Sequence, residues 1–136
     1  LGIETAIKYD VKGWKRFTVI EAKRLKKFLN LSKQPGIPGL VQALRYRLYA
    51  NINIQEIVNI TASSCEFRMN KCRVQTARNR KGLNDFPCKQ VGIVEYGLFA
   101  KTIDKRITTE CICCPPDDHP KDYYCAWKFS LKNNII

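Results

Sequence analysis

The chain has 136 residues, 45% of them apolar, and carries twelve more basic than acidic side chains. That length suits one hydrophobic core and is short for two, so residues 1–136 are expected to form a single domain. No run approaches the roughly 18 to 20 apolar residues that span a bilayer, and nothing near the start has the order of a secretory signal, so a soluble protein is expected; the odd set of seven cysteines favours a reducing, cytoplasmic compartment.

The chain opens Leu1-Gly2-Ile3-Glu4 without a methionine and enters a helical pattern almost at once, so an upstream helix is expected to be missing. From Val11 the residues Trp14, Thr18, Ala22, Leu25 and Leu29 recur at spacings of threes and fours, which predicts an amphipathic helix over Asp10 to Asn30. Pro35, Gly36, Pro38 and Gly39 punctuate a connector, and a second helix is expected from Pro38 to Ala50 with Val41, Leu44 and Leu48 on one side. Residues 1–50 thus form a helical part, and 51–136 a cysteine-bearing α+β part. After Asn51 the texture turns β-branched, then alternates Cys65, Phe67 and Met69 against Glu66, Arg68 and Asn70. This predicts two antiparallel strands joined near Ala62-Ser63-Ser64. Val74 to Lys81 reads as a short basic helix ended by Gly82. Val91 to Ile103 reads as another, with Val94, Leu98 and Ile103 inward and Tyr96, Phe99 and Ala100 filling out the pattern. Ile107 to Cys113 and Tyr124 to Leu131 form a second strand pair around the proline-rich loop Cys114 to Pro120. The fold class expected is α+β: a mostly antiparallel sheet of about four strands, in two hairpins, with helices packed on one face.

Residues 1–50 hold eleven basic and three acidic side chains, so most of the excess charge lies on the N-terminal helices. A solvated helix face accounts for it, and nucleic-acid binding through those helices is the least favoured function.

Seven cysteines are an odd number, and Cys111-Ile112-Cys113-Cys114 crowds three of them together, which disfavours a fully oxidised secreted framework. Each thiol is also a good small buried hydrophobe. Zinc prefers thiolates and imidazoles at short spacings, and Cys111-x2-Cys114 is followed by His119 and then Cys125. Strand alternation puts Cys111 and Cys113 on one face and turns Cys114 away. Cys72, Cys88, Cys114 and Cys125 are therefore the favoured converging set, with Cys111 and His119 as substitutes. His119 equally suits a loop-ordering hydrogen bond. Between Lys71 and Lys89 six basic side chains face a single acid, Asp85. Such charge would lower the pKa of Cys72 and Cys88, and Arg73 or Arg78 would grip a carboxylate or phosphate on a ligand, although a solvated surface would look the same. Trp127 shares a strand face with Cys125 and would stack over whatever binds there. Asp117 and Asp118, in a proline-rich loop, more often close turns than transfer protons.

Cys72-Arg73-Val74-Gln75-x-Ala77-Arg78, Lys81-Gly82-Leu83, Phe86-Pro87-Cys88-Lys89-x-Val91-Gly92, Cys114-Pro115-Pro116-Asp117-x-His119-Pro120 and Cys125-Ala126-Trp127 together resemble an uncharacterised family of bacterial and archaeal cytosolic proteins over nearly the whole chain. More remotely, the order of hairpin, helix, hairpin and closing Cys-x-aromatic strand is similar to the L-2-amino-thiazoline-4-carboxylic acid hydrolases and to 4-vinyl-reductase-type small-molecule-binding domains. That resemblance implies a cysteine-lined pocket between sheet and helices. The function expected is binding of a small molecule, with zinc a possible cofactor and hydrolysis of a small carboxylated compound a possible reaction. A thiol- or metal-based sensor is the alternative, and a two-fold homodimer is the base-rate assembly.

Overall fold

The computed structural model describes residues 2–132. Its elements in chain order are α1 (Ile3–Phe28), α2 (Gly36–Arg45), α3 (Leu48–Ile52), β1 (Ile54–Val58), β2 (Ser64–Lys71), α4 (Arg73–Arg80), α5 (Lys89–Ile103), β3 (Ile107–Cys113) and β4 (Cys125–Leu131). The strands form one antiparallel sheet in the order β1-β2-β4-β3, so the α+β class holds. No helix is long and apolar enough to cross a membrane among the described residues.

Strand register decides where the core sits. Met69 pairs with Cys125, Phe67 with Trp127 and Cys65 with Phe129, and directly opposed residues point to the same side of a sheet. That side is buried beneath the helices, while Glu66, Arg68 and Lys128 emerge on the other. Ile37, Leu40, Ala43 and Leu44 of α2 and Tyr96, Phe99, Ala100 and Ile103 of α5 fill the layer above it. The small buried residues Thr18 and Ala22 bring α1 close to α5, where the Thr18 hydroxyl donates to the Glu95 carbonyl at 3.2 Å.

Three sequence expectations need correction. The first helix begins at Ile3, well before Asp10, and stops at Phe28, because Asn30 adopts a positive φ of 53° that ends the helical path. The helix expected over Pro38 to Ala50 is two, broken where Arg47 turns extended (φ −66°, ψ 159°). The break directs the Arg47 guanidinium inward to Glu21 and Glu95, and this ion pairing overrides the apolar periodicity. In α5 the buried face is Val91, Glu95, Tyr96, Phe99 and Ile103, whereas Val94 and Leu98 lie half-exposed at its flank. Both flanks of this helix are apolar, so periodicity alone does not choose between them; the Glu95 pair with Arg47 does.

Candidate functional site

Each of four cysteines sits at the end of an element. Cys72 follows β2 and is the N-cap of α4, Cys88 is the N-cap of α5, Cys114 follows β3, and Cys125 opens β4. Antiparallel pairing puts the end of β2, the end of β3 and the start of β4 at one edge of the sheet, and the four thiols line one cavity there of about 400 Å³. A register shift between Cys111 and Cys113 contributes to this placement. Cys111 opposes Trp127, but Cys113 opposes Ala126, on the other face, so these two cysteines do not share a face as simple alternation predicts. Cys114 then returns to the helical side.

The rest of the wall is amphipathic. Asp10 and Trp14 come from α1, Tyr49 and Ile52 from α3, and Arg73 and Val74 from α4. Phe86 belongs to the segment before α5, and Val91, Glu95 and Tyr96 belong to that helix.

Cys88 and Cys114 are the closest thiols, with Sγ atoms 3.7 Å apart. The Gln75 amide nitrogen also donates to Cys88 Sγ at 3.5 Å. Gln75 is itself held: its Nε2 donates to the Phe86 carbonyl at 2.9 Å, and its Oε1 accepts from the Phe86 N–H at 2.7 Å. The loop carrying Cys114 is fastened to α5 by Lys89 N–H donating to the Pro115 carbonyl (3.0 Å) and by the Lys89–Asp117 ion pair (2.9 Å). Asp117 also accepts from the Cys114 N–H at 3.2 Å, closing the turn rather than facing the cavity.

These contacts divide the thiols. The hydrogen bond from Cys114 lowers the Cys88 pKa, burial opposes it, and Gln75 adds to the lowering. Cys114 is pushed strongly up, first by its contact with Cys125, then by donating to Cys88, then by burial, and it therefore holds its proton. Burial raises Cys72 against the pull of the Gln75 and Val74 backbone N–H groups. The basic run from Lys71 to Lys89 does not produce the expected lowering at Cys72. At Cys88 the lowering comes from neutral donors, since Arg80 and Lys81 are exposed.

Arg73 lines the cavity, whereas Arg78 turns away, its Nε donating to the Asn84 carbonyl at 2.9 Å. His119 stands outside as a clasp: Nε2 meets Asp85 at 2.8 Å, and Nδ1 meets the Pro120 carbonyl at 2.8 Å. Cys111 opens onto a separate groove between α5 and β3. Trp127 is buried behind the wall, stacked on Tyr96 at 4.8 Å, and Gly92 accommodates it, since a Cβ there would come within 2.6 Å of the indole ring. Cys65 and Cys113 are buried in their strands. Among the described residues no three Cys, His, Asp or Glu side chains form a group ready to hold a metal ion.

The sequence reading passed over Gln75, Tyr49, Asp10 and Glu95 as site residues. Glu95 left a signal: Val91, Glu95 and Phe99 recur every four residues, so a carboxylate occupies the buried stripe of an otherwise apolar helix. It is 4% exposed and accepts from Arg47 at 2.8 Å.

Fold and site together define an α+β domain with a thiol-lined cavity at one sheet edge. By sequence, the chain belongs to DUF6125, a family of unknown function whose model matches residues 1–131. No curated protein and no solved structure matches it.

Proposed function

We propose that this chain is a small-molecule-binding domain whose ligand occupies the cavity lined by Cys72, Cys88, Cys114 and Cys125. The observation that carries the reading is the cavity itself: four thiols from four separate element ends, an aromatic wall and one arginine surround a space of ligand size, about 400 Å³. Arg73 is the group that would receive a ligand carboxylate, and the resemblance to the L-2-amino-thiazoline-4-carboxylic acid hydrolases and the 4-vinyl-reductase-type domains points the same way. Trp127 would then support the site through Tyr96 rather than touch the ligand. The test uses 1-anilinonaphthalene-8-sulfonate, an aromatic anion, as probe. Saturable binding at one site per chain is expected, and Val74→Trp should abolish it without lowering the unfolding midpoint, since Val74 is 56% exposed and lines the cavity. Equal binding by that variant removes the reading.

One distance favours a second reading, a zinc ion held by the same thiols. Two thiolates at about 2.3 Å from a tetrahedral zinc stand roughly 3.7 to 3.8 Å apart, and Cys88 and Cys114 stand 3.7 Å apart. Cys125 and Cys72 would have to close on that pair. Stoichiometric zinc retained after dialysis and lost in Cys114→Ser supports this reading; substoichiometric metal that the variant leaves unchanged removes it.

A further inference from the structure

We infer that Cys88 and Cys114 form a redox-active dithiol that exchanges with a low-molecular-weight disulfide entering the cavity. The inference rests on the cavity reading only for access. Its own basis is the pair: sulfurs 3.7 Å apart, which need close by only about 1.7 Å to reach disulfide length. Their neighbours differ in kind. Cys88 is half-buried at the N-terminus of a 15-residue helix, where the peptide dipoles favour a thiolate, and it receives the Gln75 amide. Cys114 is 1% exposed, and its sulfur lies within hydrogen-bond reach of the Cys88 sulfur. Cys88 is therefore placed to attack and Cys114 to resolve.

The steps balance as thiol–disulfide exchange. The Cys88 thiolate attacks one sulfur of R–S–S–R, a Cys88–S–R bond forms, the original S–S bond breaks, and one R–S⁻ leaves. Cys114 gives up its proton to that departing thiolate and attacks Cys88 Sγ, expelling the second R–S⁻, which takes a proton from solvent. The two protein thiols lose two electrons and the small disulfide gains them. Cys88 is half-buried in a half-open cavity, which admits a small disulfide more readily than one held in a protein. Arg73 at the cavity further suits one that carries a carboxylate.

The test incubates the full chain, reduced and stripped of metal by a chelator, with glutathione disulfide, and maps the products by peptide mass spectrometry. A Cys88–Cys114 disulfide is expected in the wild type. Cys114→Ser should stall as a glutathione adduct on Cys88, and Cys88→Ser should react at least about tenfold more slowly. Adducts spread evenly over Cys72, Cys88 and Cys111, or a wild-type product lacking the Cys88–Cys114 link, overturn the inference. Because the wild-type map is decisive, a variant that fails to fold does not rescue it. The naphthalene sulfonate measured on the same preparation separates the two ideas: probe bound without exchange refutes the dithiol alone, and neither bound nor exchanged refutes the cavity as well.

Discussion

Replacing Arg47 with leucine removes the cation buried between Glu21 and Glu95 and leaves the Glu95 carboxylate without its partner in the cavity wall. Arg47 is 2% exposed, its Nε lies 2.9 Å from Glu21, and its terminal nitrogen lies 2.8 Å from Glu95. Breaking a buried pair from one side costs about 3–5 kcal/mol, because the remaining charge is uncompensated. The guanidinium also stands over the rings of Phe99, Tyr49 and Tyr96, at 4.6, 5.0 and 5.6 Å, contacts worth a further 0.5–2 kcal/mol or so that leucine replaces only in part. Against a typical stability of about 5–15 kcal/mol, this is a large fraction. The loss must also depend on pH. Burial holds the Glu95 carboxyl above its ordinary value while Arg47 pulls it down, so without Arg47 it rises further. A raised folded-state pKa means that the proton favours the folded state: the penalty is absent while the carboxyl is protonated and grows as pH rises through the folded pKa. Urea unfolding of Arg47→Leu should therefore show a deficit that grows from about pH 5, where the lost ring contacts remain, to about pH 8, and Arg47→Leu/Glu95→Leu should recover most of the pH-dependent part. A deficit that is the same at both pH values, or a double variant no better than the single one, refutes the account.

Three further outcomes are expected. Gly92→Ala should cost about 1–3 kcal/mol in urea unfolding and alter the tryptophan fluorescence, because its Cβ would meet the Trp127 ring at 2.6 Å; an unchanged spectrum and midpoint would contradict the packing. Asp104→Asn should cost about 1.5–3 kcal/mol, since Asp104 accepts from Arg106 at 2.8 Å and from the Gly36 N–H at 2.9 Å. Its hydrogen bonds to Arg106, outweighing burial, hold the carboxyl at about 2, so this stability is present above the ordinary carboxylate range and lost as pH falls towards 2; the variant should show no such acid loss. For His119, partial burial is the largest influence and lowers the pKa, but the hydrogen bond and charge of Asp85 together with the Pro120 and Tyr123 backbone outweigh it and leave a net rise. Asp85→Asn should therefore move the imidazole titration downwards, as followed by proton NMR, and an unmoved titration would show that the clasp does not form.

The elements were largely legible in the chain because their signals are local. Alternation marked Cys65, Phe67 and Met69 as one face of β2, and Pro35 marked the break before α2, although Pro38 and Gly39, read as connector, lie inside that helix. Alternation did not serve the thiols as well: it put Cys111 and Cys113 on one face, and the register shift between them separates the two.

What the sequence by itself determined was the inventory: a set of seven thiols, one arginine-bearing segment beside several of them, and enough apolar residues for a sheet covered by helices. Tertiary structure decided the rest, because it depends on contacts between residues far apart in the chain. Arg47 reaches across 48 residues to Glu95, and that pair breaks a helix and selects the buried face of α5. Antiparallel order carries the ends of β2 and β3 to the start of β4, and so gathers the four thiols. The character of Cys88 follows from Cys114, 26 residues away, rather than from the basic run beside it, since a thiol responds to the donors it touches more than to charges turned towards water.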